Sequence, residues 1–149
     1  MSITTADLVE LELPDGIDSA RATAILAERL AASGRVTDRN GFLADVRARE
    51  EQMATGLEGG IGIPHARSAH VAQASVAFGR SAAGVDFGAE DGPATLIFLI
   101  AAPDGAGADH MKILGALARK LIHAEFKDGL REAPDAASAA TMINEGVGA

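Results

Sequence analysis

The sequence predicts an α/β fold, specifically a three-layer α/β/α sandwich with a central mixed β-sheet. Segments with apolar residues at helical spacing alternate with short apolar runs that are typical of strands. The clearest of these runs, residues 95–100, lies between Pro93 and Pro103 and indicates a buried strand. No repeat, low-complexity tract or linker divides the 149 residues. We therefore expect a single domain spanning residues 1–149.

The N-terminal part of the chain indicates one strand and two helices. Residues 9–13 alternate apolar and acidic side chains, which predicts a half-exposed strand. Asp18 or Ser19 can cap a first helix, because the oxygens of these side chains accept bonds from backbone N–H groups at a helix start. Thr37 or Asp38 can cap a second helix in the same way.

The C-terminal part predicts two further strands and two further helices. Residues 71–78 resemble a strand, whereas residues 79–92 are rich in turn-forming residues. After the buried strand, Asp109 is the expected cap of a third long helix. A last short helix is expected to begin at Asp135 and to end by Gly146.

Charge and composition exclude several classes of function. Lys and Arg number 13 against 21 Asp and Glu, which gives a net charge of −8 and argues against binding to nucleic acid or to anionic lipid. The absence of cysteine excludes disulfides, thiolate metal sites and a cysteine nucleophile. Asp7 and Glu10 interrupt the region where a signal peptide needs an apolar core, so we expect a cytoplasmic protein.

The most unusual stretch is glycine-rich and ends in a histidine at residues 55–65. Its glycines permit tight turns, and we expect their N–H groups to face an anion. Neither the P-loop pattern nor the complete dinucleotide fingerprint is present. Pro64 restricts Ile63 to an extended conformation and stiffens the approach to His65. The residues alone leave open whether His65 is a structural turn residue or a reactive group.

Two other side chains are candidates for binding an anion. His110 follows Asp109 in the expected first turn of the third helix, where unpaired N–H groups and the helix dipole attract anions. Arg49, near the end of the second helix, offers a rigid fork of donors that matches phosphate oxygens. The alternatives are a histidine packed on the core and a solvated arginine at a helix end.

Five short motifs follow one another along the chain. They lie between residues 49 and 110. They are Arg49-Glu50, Thr55-Gly56, the block Gly60-Ile61-Gly62-Ile63-Pro64-His65, then Asp91-Gly92-Pro93, and the strand Phe98-Leu99-Ile100-Ala101-Ala102-Pro103 followed by His110.

A chain with these motifs resembles the IIA component of the bacterial phosphoenolpyruvate-dependent sugar phosphotransferase system, in the fructose/mannitol family that includes nitrogen-regulatory IIA proteins. The family often has alanine where Gly62 stands and leucine where Met111 stands. We interpret both departures as conservative packing changes. Residues 84–87 and 89–92 are closer to the fructose-type branch.

The resemblance implies roles for four residues. His65 is expected to accept a phosphoryl group from the phosphocarrier HPr on Nε2, with His110 stabilising that group. Arg49 is expected to support the site, and Thr55 to provide a nearby polar contact. Imidazole is a good nucleophile near neutral pH, and glycine N–H groups, a helix N-terminus and one arginine suffice without a metal or other cofactor.

The resemblance also implies partners. The phosphoryl group would pass to a IIB component, usually to a cysteine, and a IIC permease would be served indirectly. Because this chain has no cysteine, that acceptor has to lie on a partner.

Two alternatives remain open. One is a nitrogen-regulatory IIA protein, whose phosphorylation state controls partner binding. The other is a metal-dependent hydrolase using His65, His110 and Asp109.

Overall fold

A computed structural model describes residues 2–105 and 107–148, and for residues 107–111 the backbone alone. Within these residues it contains five α-helices, six strands and a 3₁₀ turn at Ala6–Leu8. The helices are α1 (Ser19–Ala32), α2 (Arg39–Gln52), α3 (Gly107–Leu121), α4 (Ala124–Glu132) and α5 (Ala136–Gly146). The strands are β1 (Val9–Glu10), β2 (Gly56–Leu57), β3 (Ile61–Gly62), β4 (His65–Ser68), β5 (Ser75–Val85) and β6 (Ala94–Pro103).

The strands form one mixed sheet in the order β1-β5-β6-β3-β2, and β4 also pairs with β6. The central pair β5 and β6 is antiparallel, whereas β1 runs parallel to β5. Strands β3 and β4 both run parallel to β6 along the same edge, with Ile61 opposite Leu96 and His65 opposite Ile100. They are therefore two halves of one strand position, interrupted at residues 63 and 64.

Alternating side chains of β5 and β6 bury both faces of the sheet, which confirms the predicted three-layer sandwich. Ile97 and Leu99 face the layer of α1 and α2, where they join Leu26 and Phe42 in one apolar cluster. The other face packs against α3, α4 and α5. Its cluster includes Val76, Phe78, Leu96, Phe98, Ile100, Leu117, Leu130 and Ile143.

Three of the predicted helix starts are confirmed by capping geometry. Asp18, Asp38 and Asp135 precede α1, α2 and α5, and each carboxylate accepts the backbone N–H three residues further on. The donor–acceptor distances are 2.8, 3.1 and 2.7 Å, respectively. Capping depends on local sequence, which explains why these boundaries were readable.

Other predicted boundaries were wrong. The strand expected at residues 71–78 begins at Ser75 and continues to Val85, into the stretch expected to be turns. The antiparallel partner β6 holds this extension, and the pairing register shifts between Arg80 and Val85. Gly79 pairs with Ile97 of β6 and leaves room for Leu13, whose Cδ1 is only 2.7 Å from where a Cβ would lie.

At the C-terminal end, α3 begins at Gly107, so Asp109 lies within the helix rather than capping it. Helix α4 was not predicted. It is largely polar, and its Leu130 is fully buried in the core. None of the helices in the described residues combines the length and apolar character that crossing a bilayer demands.

Candidate functional site

His65 is the first residue of β4 and is half-buried at the edge of β6. Its Nδ1 lies 2.8 Å from the carbonyl oxygen of Ile63. A carbonyl oxygen only accepts hydrogen bonds, so Nδ1 has to carry a proton for this bond to form. In the neutral ring the lone pair then lies on Nε2, which is the tautomer that a nucleophile at Nε2 requires.

The backbone around Ile63 is fixed from both sides. The N–H of Ile63 donates to the carbonyl oxygen of Thr55 at 3.1 Å, and the N–H of Ile100 donates to the carbonyl oxygen of Pro64 at 3.0 Å. Pro64 is buried and has no N–H of its own. The interruption between β3 and β4 is therefore an ordered turn that aims the Ile63 carbonyl at the histidine ring.

Thr55 is held by a carboxylate. One oxygen of Glu50 accepts the Thr55 N–H at 2.8 Å, and the other accepts the Thr55 hydroxyl at 2.7 Å. Thr55 is 5% exposed. We expected its side chain to offer a polar contact at the site, and the structure places that hydroxyl on Glu50.

The sequence did not reveal the role of Glu50 in the site. It marked Glu50 only as the second residue of the Arg49-Glu50 motif. Helix α2 ends at Gln52, and the buried Thr55 is the third residue after it. A glutamate in the last turn of a helix, before a buried threonine, was the one available signal.

Arg49 lies in the last turn of α2 and is half-buried. Its Nη1 is 3.5 Å from the carbonyl oxygen of Met53, which is too long for a strong hydrogen bond. The neighbouring Glu50 thus belongs to the hydrogen-bond network that reaches His65 through Thr55 and Ile63. The Arg49 guanidinium instead lies near the end of its own helix.

His110 belongs to α3, but its side chain and that of Asp109 lie outside the described residues. Helix α3 packs on β6, the strand that pairs with β4 at His65. The expectation that His110 neighbours His65 remains a prediction.

The glycine loop makes a turn, and the expectation that its N–H groups face a bound anion remains a prediction. Gly59 and Gly60 have φ of +91° and +77° between β2 and β3, a region that favours glycine. The Gly59 N–H donates to Asp91 at 2.9 Å, and its carbonyl oxygen accepts from Arg131 at 2.6 Å. These bonds anchor the hairpin to its neighbours.

Gly62 packs against an aromatic ring. A Cβ at this position would lie 2.7 Å from Cδ2 of Phe87, which is 3% exposed. The interpretation of alanine at this position as a conservative packing change was therefore wrong for this chain, because the ring occupies the space.

In the part of the chain whose side chains are described, no three histidine, aspartate or glutamate residues group closely enough to hold a metal ion. The hydrolase hypothesis needs the side chains of Asp109 and His110, which are not among them.

Fold and site define an α/β domain that presents one histidine at a sheet edge, with Nδ1 bound to the backbone. The family described as phosphoenolpyruvate-dependent sugar phosphotransferase system, EIIA 2, matches residues 2–146. The chain belongs to this family and is a phosphoryl-carrying component of that system.

Individual proteins agree with this assignment. A fructose-specific EIIA component from Haloferax volcanii is 42% identical over 133 residues, covering 89% of this chain and 86% of that protein. The nitrogen regulatory protein IIA-Ntr from Neisseria meningitidis has a TM-score of 0.85 at 29% identity, covering 95% of this chain and 96% of the other. The mannitol IIA of Escherichia coli, solved in complex with phosphorylated IIB, has a TM-score of 0.79 at 20% identity, covering 96% and 98%, and shows the fold alone.

Proposed function

We propose that this chain is a fructose-type IIA phosphocarrier. It accepts a phosphoryl group from HPr on Nε2 of His65 and passes it to a cysteine of a IIB component, which serves a IIC permease. The name of the Haloferax relative supports the fructose assignment. The mannitol complex supports a IIB partner, because a protein of the same fold binds IIB there.

The observation that carries the proposal is the bond between His65 Nδ1 and the Ile63 carbonyl oxygen. Nε2 attacks phosphorus, and the N–P bond forms as the bond to the donor breaks, its electron pair leaving with the donor. Nδ1 keeps its proton throughout. The ring gains a positive charge, which the Ile63 carbonyl dipole stabilises.

The same bond favours the return step. When a thiolate attacks phosphorus, the electron pair of the N–P bond returns to Nε2, and the ring becomes neutral again. No proton has to move in either direction, so the site needs positioning and charge stabilisation rather than acid–base catalysis.

Arg49 and His110 complete the proposal as groups that stabilise phosphoryl oxygens. Helix α2 carries Arg49 one residue before Glu50, and α3 carries His110 on the layer that covers β6. We expect R49K and H110Q each to slow phosphoryl transfer by about tenfold or more. If either side chain only packs on the core, its replacement should leave the transfer rate at the parent value.

Labelling tests the central step. The protein is incubated with phosphoenolpyruvate, enzyme I and HPr, and we expect an acid-labile, base-stable label. H65A should remain unlabelled, whereas H123A, which replaces an exposed histidine before α4, should be labelled like the parent. If H65A is labelled as well as the parent, the proposal is wrong.

A second candidate is the regulatory role of nitrogen-related IIA proteins. The Neisseria structure favours it, with a higher TM-score than the mannitol protein. Both candidates predict the same label on His65. Adding a fructose IIB and IIC separates them, since only the transport role predicts formation of sugar phosphate from the labelled protein.

A further inference from the structure

We propose that Glu50 is a positioning residue, which sets the tautomer of His65 by clamping Thr55. This inference rests on the proposed function, because it concerns the same nucleophile. The clamp is the two-oxygen contact of Glu50 with the N–H and hydroxyl of Thr55, at 2.8 and 2.7 Å.

Two hydrogen bonds in series connect the clamp to the ring. Glu50 fixes the backbone of Thr55, and the Thr55 carbonyl oxygen accepts the Ile63 N–H at 3.1 Å. The Ile63 carbonyl oxygen then faces His65 Nδ1 at 2.8 Å. The N–H and the carbonyl of Thr55 lie in the two peptide planes that flank its Cα, and the same holds for Ile63. A change in the backbone dihedrals of Thr55 would therefore move the Ile63 N–H and, through Ile63, its carbonyl.

The burial of Thr55 makes the carboxylate necessary. A buried N–H and hydroxyl both need acceptors, and a charged carboxylate satisfies both at once with short bonds. Glutamine has a single acceptor oxygen and would point its NH₂ group at the second donor. The E50Q variant therefore loses the charged acceptor of the hydroxyl proton and reverses the direction of that bond, while keeping the shape of the side chain.

Glu50 acts on the nucleophile His65 through the backbone. It is half-buried and lines a cavity of about 220 Å³ between α1 and α2, together with Pro64 and Phe87. Pro64 directly precedes His65, and His65 is not among the residues that line this cavity. Loss of the clamp is therefore expected to lower the rate of the transfer step and to leave the KM for phosphorylated HPr unchanged.

The decisive readout is the histidine tautomer itself. Long-range ¹⁵N–¹H correlation spectra of the full chain distinguish a proton on Nδ1 from one on Nε2. We expect the parent to show His65 protonated on Nδ1 in its neutral form. E50Q should shift part of the population to the Nε2-protonated form, whose Nε2 has no lone pair for attack.

Kinetics supply the second readout. We expect E50Q to lower the rate of phosphoryl transfer from HPr by about tenfold, the scale of a small misplacement of a reacting group. E51Q is the matched control, because it removes the same charge from an exposed neighbour on the same helix. T55V should also slow transfer, and T55S should recover most of that loss by restoring the hydroxyl.

Each outcome decides the matter. If E50Q keeps the parent tautomer and transfers like E51Q, Glu50 does not position His65. If E50Q does not fold, T55V and T55S carry the same comparison, and equal tautomers and rates in these two overturn the proposal. If the parent accepts no phosphoryl group, the proposed function fails, while the tautomer spectra still test the clamp.

Discussion

The Ser68 hydroxyl donates a hydrogen bond to Oδ2 of Asp45 at 2.5 Å and connects the end of β4 to α2. Ser68 is 2% exposed, and its oxygen also accepts the N–H of His70 at 3.1 Å. The strand that begins with His65 is thus fixed at its far end by the helix that carries Glu50. Both ends of β4 depend on α2.

We predict that this contact stabilises the folded chain measurably. S68A leaves the half-buried Asp45 carboxylate without its hydroxyl donor, and we expect the free energy of unfolding to fall by about 1–3 kcal/mol. Urea denaturation of S68A, D45A and the double variant forms the test. A coupling energy near zero in this cycle would show that the contact contributes nothing.

Replacement of Gly62 by alanine should destabilise the site through Phe87. The added methyl group would lie 2.7 Å from the buried ring, so one of the two has to shift. We expect G62A to cost about 1–3 kcal/mol, the usual range for overpacking. Adding F87L should relieve the clash, so the double variant should lose less stability than the two single variants together. Additive losses would contradict a direct contact.

The elements that the sequence predicted well are those decided by neighbouring residues. The caps at Asp18, Asp38 and Asp135 need only an oxygen and an N–H three residues away. Strand β5 is different, because its continuation past Gly79 depends on pairing with β6. A glycine favours a turn locally, and here pairing with the partner strand decides its conformation.

The residues of the candidate site show the same difference between features decided by neighbouring residues and features decided by the fold. The pattern of glycines followed by Ile63-Pro64-His65 identified the histidine, because proline and glycine restrict the backbone within a few residues. Glu50 and Asp91 were not identified as site residues. Their roles depend on which backbone groups the fold brings to them, Thr55 in one case and Gly59 in the other.

Arg80 should stabilise the C-terminal end of α4. Its Nη1 lies 3.0 Å from each of the carbonyl oxygens of Leu130, Arg131 and Ala133, at the helix end where carbonyl groups run out of helical N–H partners. Its Nε also lies 3.3 Å from the carbonyl oxygen of Leu11. We expect R80M to lower the free energy of unfolding by about 1.5–3 kcal/mol, the range for hydrogen bonds to charged groups.

The control for R80M is R21M, which removes the same charge from an exposed position on α1. Surface substitutions of this kind usually change stability by about 0.5 kcal/mol or less. Urea unfolding of the two variants should therefore differ clearly. Equal midpoints would mean that the end of α4 does not depend on Arg80.

The cap of α5 should make stability depend on pH. Hydrogen bonds from the Ser138 hydroxyl and then from its backbone N–H lower the pKa of the Asp135 carboxyl below its ordinary value. The unfolded chain therefore binds this proton more readily than the folded chain. The contribution of the charged cap is fully present above the ordinary pKa of aspartate, about 3.9, and is lost as pH falls through the lower folded value.

D135N tests this dependence, because asparagine still offers an oxygen to the Ser138 N–H but does not titrate. We expect the parent to have the higher Tm near neutral pH, and the difference to shrink as the pH falls below about 4. D15N, at an exposed turn position, controls for the removal of one negative charge. A Tm difference between the parent and D135N that stays constant across this range would contradict a cap that acts through its charge.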